Sequence, residues 1–144
     1  MKSFLIILLF VPLSSKLYSQ ELSQPVFIGT WKAVKAQFIP EMSMDLDVEG
    51  QKKLKQMQEG LIGTLFTFKE NNDFAIKFPG NVPVFMKELE SLRNKKWKMG
   101  KDQRIAIGSE KDNYSMIGIT VLIKQGKKIF ILDESPFMLE VVRL

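Results

Sequence analysis

From Phe27 onward, short runs of apolar, β-branched and aromatic residues are separated by Gly, Asn, Asp and Lys, the pattern of antiparallel strands joined by tight turns. Candidate strands fall at 29–37, 63–69, 73–78, 95–99, 103–108, 114–124, 127–133 and 137–143. About eight strands close a small barrel whose interior side chains fill or one small ligand occupies. The turns are legible. Asn71, Asn72 and Asp73 tolerate left-handed backbone between Phe68 and Phe74, Gln125 and Gly126 do the same between Ile123 and Ile129, and Asp133 to Pro136 separates the last two runs. Such hairpins predict sequential, up-and-down connection of a mainly β, single antiparallel barrel.

One segment breaks the β pattern. Leu46, Gly50, Leu54, Met57 and Leu61 recur at spacings of four and three, which predicts an amphipathic helix between the first and second strands. Asp45, Asp47 and Glu49 sit where the helix dipole favours anions, Lys52, Lys53 and Lys55 follow, and Gly60 and Gly63 are expected to stop it. A short second helix is expected over 84–92, with Phe85, Leu89 and Leu92 on one face after Pro83.

Within the strands, Phe66 and Phe68 share one face, Phe74, Ile76 and Phe78 share another, and Lys69 and Lys77 fall on the opposite faces. Closure turns the aromatic faces inward, where they either line a greasy pocket or fill it. In strand 103–108, Arg104, Ala106 and Gly108 lie opposite Ile105 and Ile107. An inward Arg104 would meet a carboxylate in the lumen; an outward one is solvated, which avoids burying an unpaired guanidinium. Strand 114–124 is apolar on both faces, with Ile117, Ile119, Val121 and Ile123 on one and Met116, Gly118, Thr120 and Leu122 on the other, so its outer side needs a cover.

The N-terminus changes the picture of where the domain begins. Lys2, the apolar stretch Phe4 to Leu13, and Leu17, Tyr18 and Ser19 before Gln20 read as a signal peptide over 1–19, too short to span a bilayer. A single β-barrel domain is then expected over 20–144, exported to a periplasmic or extracellular space, with no stable membrane span after cleavage. Removing some twenty of the 144 residues leaves about 124, enough for one core. Without the leader's Lys2 and Lys16, the 21 basic residues fall to 19 against 16 acidic ones, a net +3 too scattered for a nucleic-acid surface. The chain has no cysteine, so stability rests on burial and backbone pairing.

The segment Phe27-Ile28-Gly29-Thr30-Trp31-Lys32-Ala33-Val34 resembles the Gly-x-Trp first-strand motif of the calycin group, the lipocalins and fatty-acid-binding proteins. The run Phe137 to Leu144, with Arg143, resembles the closing strand of that family. The resemblance implies a structural latch of Gly29, Trp31 and Arg143: an indole plugs the closed end, an arginine stacks on it and satisfies nearby carbonyls, and the glycine lets the chain pass beneath the ring. It covers the mature chain in architecture but about a dozen residues in motif. The chain departs from typical lipocalins in its early helix and absent cysteines, and from fatty-acid-binding proteins in lacking ten strands and a two-helix lid. The description that fits is a bacterial-style lipocalin-like domain.

With no histidine and no cysteine, Ser-His-Asp and Cys-His machinery is excluded and the commonest transition-metal ligands are missing. No pair of acids is placed to converge, so no enzyme and no cofactor are expected. Asp45-Leu46-Asp47-Val48-Glu49-Gly50 imitates the start of an EF-hand loop, but Gln56 stands where a bidentate glutamate belongs; a helix N-terminus accounts for the acids. Asn113-Tyr114-Ser115 matches a glycosylation acceptor, and a turn accounts for its asparagine. The expected function is reversible binding of a small hydrophobic or amphipathic ligand at Phe66, Phe68, Phe74, Ile76, Phe78 and Arg104. The alternative is a solid barrel that docks a protein partner.

Overall fold

Alternation of buried and exposed side chains runs through eight strands: β1 (Gly29–Phe38), β2 (Leu65–Phe68), β3 (Asp73–Lys77), β4 (Lys95–Met99), β5 (Arg104–Gly108), β6 (Ile117–Lys124), β7 (Lys127–Leu132) and β8 (Phe137–Arg143). They belong to a computed structural model describing residues 24–39, 41, 45–80, 82, 84–90, 95–133 and 135–144. The expected leader and the start of the mature chain lie outside the described residues. Each strand pairs antiparallel with the next, and β8 returns to β1, so the sheet is a closed up-and-down barrel. Trp31 stands opposite Arg143 and Phe38 opposite Phe137 along the closing seam.

The strand ends follow from backbone chemistry. The β2 run starts at Leu65 and not at residue 63, because Gly63 turns at φ +94°. The β6 run starts at Ile117 and not at 114, because Asn113 and Tyr114 both hold φ 55°. Gln125 (φ 53°) and Gly126 (φ 77°) make the two-residue turn between β6 and β7 whose twist matches the strands.

Helix α1 (Gln24–Phe27) precedes β1, α2 (Val48–Leu61) follows it, and α3 (Val84–Glu90) lies between β3 and β4. At the start of α2, Asp47 accepts from Gly50 N at 2.7 Å, the capping role of an acid at a helix N-terminus. Gly60 lies inside α2 and does not end it; the chain turns at Gly63. Leu61 is buried, Leu54 and Met57 pack against the core, and Gln58 Nε2 donates to Ala36 O at 2.7 Å, so α2 lies against the far end of β1. The β3 and β4 strands pair at only two positions, Asp73 with Lys96 and Phe74 with Lys95. Beside this short seam, α3 is tied down where Phe78 N donates to Glu90 Oε1 at 3.0 Å. The apolar face expected at Phe85, Leu89 and Leu92 lies outside the described side chains.

The barrel end where β1 begins is plugged. Trp31 is 3% exposed and its Nε1 donates to Phe27 O at 2.9 Å, which fixes α1 beneath the strands. The Arg143 guanidinium lies 4.9 Å from the Trp31 ring centre, and its Nη2 donates to Val26 O and, at 3.0 Å, to Ile28 O. Lys128 Nζ also stands 4.9 Å from that ring. The three residues of the expected latch thus meet. Gly29 serves it through backbone conformation, at φ +131°, because a Cβ there would stand a comfortable 3.8 Å from Arg143. Gly29→Ala should therefore lower the unfolding free energy by roughly 1 to 3 kcal/mol through strain, read as a lower urea midpoint at unchanged m-value.

Two hydrogen-bonded carboxylates, Asp112 and Asp73, should make the fold acid-sensitive. In the 109–115 turn, hydrogen bonds from Ser109 N (3.0 Å), Ser109 Oγ (2.9 Å) and Ser115 N (3.1 Å) hold the Asp112 carboxyl below the usual carboxylate range. Asp73 is lowered chiefly by its hydrogen bond from Lys96, which faces it across the β3–β4 seam. Groups with a depressed folded pKa stabilise the fold above the unfolded pKa, and that stability is lost as pH falls through the folded value. Unfolding midpoints should therefore fall as the pH drops below the ordinary aspartate value of about 4, and Asp112→Asn should make that acid limb shallower in a circular-dichroism series.

Candidate functional site

The barrel interior divides into a filled half and an open half. At the plugged end Phe130 is fully buried, with ring centres of Phe27 at 6.4 Å, Trp31 at 6.1 Å, Phe66 at 5.5 Å and Phe68 at 6.2 Å. Phe68 carries the cluster on to Phe74 at 5.3 Å and Trp97 at 5.1 Å. Trp97 Nε1 donates to Lys69 O at 3.0 Å, so this polar edge is satisfied while the ring stays inside.

Toward the other end, where β1, β3 and β7 finish and β6 and β8 begin, the rings stop meeting and leave a cavity of about 780 Å³, within the usual size of small-molecule sites. Phe66, Phe74, Ile76 and Phe78 form one wall. Ile117, Ile119, Leu132 and Phe137 form the facing one, and Met57 and Leu61 of α2 close over it. Its border carries Ser115, Met116, Ser135, Arg104 and Asp133. The one buried polar side chain among the described residues is Thr64, whose Oγ1 has no partner, and it does not line this space.

Of the expected ligand residues, Phe66, Phe74, Ile76 and Phe78 form a cavity wall, Arg104 reaches only the border from outside the lumen, and Phe68 does not line the space. Phe68 belongs to the filled half, wedged against Phe74, Trp97 and Phe130. Arg104 does not enter the lumen: Ile105 and Ile107 are the fully buried residues of β5, and Arg104 lies outside. Its Nε donates to Asp133 Oδ2 at 2.7 Å and its Nη2 to the same oxygen, and Thr120 Oγ1 donates to Asp133 Oδ1 at 3.4 Å. The guanidinium reaches Asp133 across β6 over Gly118, where a Cβ would collide with both partners. Part of the outer face of β6 is thereby covered by its own neighbours, while Leu122 remains 43% exposed.

Sequence reasoning missed Phe27, Trp97 and Phe130 as the filling of the closed half, and Met57 and Leu61 as cavity wall. Trp97 did carry a signal, since it alternates with Lys96 and Lys98. Among the described residues no three His, Cys, Asp or Glu side chains gather to hold a metal, and no helix is long and apolar enough to cross a membrane. No family model matches the chain, and the comparisons with curated proteins and with solved structures likewise give no match.

Proposed function

We propose that the chain is a lipocalin-like carrier that takes up a small hydrophobic or amphipathic molecule by burial, without covalent chemistry, after export directed by its N-terminal segment. The observation that carries this reading is the open half of the barrel: a cavity of about 780 Å³ that runs from apolar walls at Phe66, Phe74, Ile76, Ile119 and Phe137 out to a polar border. Burial of apolar ligand surface contributes roughly 25 cal/mol per Å² removed from water, enough to retain a molecule that fills such a space. The chain has no histidine or cysteine for acid–base or thiol chemistry, which fits a carrier better than an enzyme.

The test is uptake of the neutral dye Nile red by the full chain purified without detergent. Saturable, blue-shifted emission displaced by added alkanols supports the carrier, and absence of any saturable uptake overturns it.

A protein-docking barrel has one observation in its favour. Leu122 on the outer wall, 43% exposed, pairs with the half-buried Ile129, a small apolar area with no described cover. Under that reading Leu122→Lys abolishes capture of a partner and leaves Nile red uptake intact.

A further inference from the structure

Resting on the carrier reading, the charged groups at the cavity border bear on which polar end the carried molecule presents. Two charged side chains line this space among the described residues, Arg104 and Asp133, and they are engaged with each other. We infer that the cavity takes amphiphiles with an uncharged end that both donates and accepts hydrogen bonds, such as an alcohol or primary amide, in preference to the matching carboxylate.

The reasoning is electrostatic. Arg104 spends both Nε and Nη2 on a single oxygen of Asp133, and the second oxygen takes the Thr120 hydroxyl at 3.4 Å. An arriving carboxylate meets a guanidinium already neutralised by Asp133 and must settle beside that like charge while giving up its own hydration. A hydroxyl or amide meets no such conflict: it donates to Asp133 or accepts from Arg104, and the hydroxyls of Ser115 and Ser135 border the same space. The walls behind, from Phe66 to Phe137, hold only apolar side chains and favour an apolar body. Gly118 keeps the ion pair in place, since any side chain there would occupy the track of the Arg104 head.

Any apolar pocket disfavours a carboxylate somewhat, so the decisive reading is how the preference responds to the ion pair. Dodecanol, dodecanamide, dodecanoate and dodecylammonium compete against Nile red on the full chain at neutral pH. In the parent protein the alcohol and amide bind tighter than dodecanoate. Asp133→Asn releases Arg104, and the dodecanoate-to-dodecanol affinity ratio should rise about tenfold, the worth of a charge-assisted hydrogen bond. Arg104→Gln leaves Asp133 alone, and the corresponding ratio for dodecylammonium should rise instead. If dodecanoate binds the parent as tightly as dodecanol, or if neither variant moves its ratio while Nile red still enters, this inference is overturned and the carrier reading stands. Loss of Nile red uptake in the parent overturns the carrier reading itself.

Discussion

Phe130→Ala should lower the unfolding free energy by about 3 to 5 kcal/mol, the usual cost of removing a fully buried phenyl ring and leaving its space. The side chain is 0% exposed and sits between Phe27, Trp31, Phe66 and Phe68, all within 6.4 Å by ring centres. Those four rings come from α1, β1 and β2, so the neighbours cannot collapse into the gap without moving the barrel wall and its plug together. A domain of this length loses several degrees of melting temperature per kcal/mol, so the midpoint should fall by roughly 10 to 25 °C. With no disulfide to hold the chain, a loss of that size is a large fraction of ordinary domain stability. A shift under about 1 kcal/mol by urea unfolding contradicts the packed closed end.

The second large effect concerns uptake. Ile117 is half-buried at the start of β6, lines the cavity near its border, and faces Ile107 across the β5–β6 pair. Ile117→Trp places an indole in space that is empty, so Nile red affinity should fall by at least about tenfold, that is by 1.4 kcal/mol. Because the ring enters existing room, stability should change by less than about 1 kcal/mol, unlike insertion into a packed core. Leu122→Trp on the outer wall serves as the control and should leave uptake as in the parent. Undiminished uptake by Ile117→Trp places the dye elsewhere on the molecule.

The barrel was legible because its signals are local. Alternation fixes a strand, and Asn72, Gln125 and Gly126, all at positive φ, fix the hairpins. The α2 stripe was equally local, through Leu54, Met57 and Leu61 at helical spacing. What the sequence leaves open is division of the interior. Phe66 and Phe68 are identical residues on one face of β2, yet the first touches the cavity and the second is walled in by Phe74, Trp97 and Phe130. That difference depends on the stagger of strands around the barrel, which no single strand encodes. Phe130 was hidden for another reason: Ile129 and Ile131 flank it, so alternation gives no contrast between its two faces. The outward course of Arg104 followed from its isoleucine neighbours, but its partner Asp133 lies two strands away, bonded over a glycine.

The most direct test is a titration of the methyl-labelled protein with dodecanol, followed by nuclear magnetic resonance. A ligand inside the barrel should shift the methyl signals of Ile76, Ile119 and Leu132, which line the cavity, and leave Val121, buried beyond it, and Leu122 on the outer wall close to their free positions. Shifts at Leu122 with Ile76 and Ile119 unmoved would mean that the alkanol coats the outside of a barrel that admits nothing.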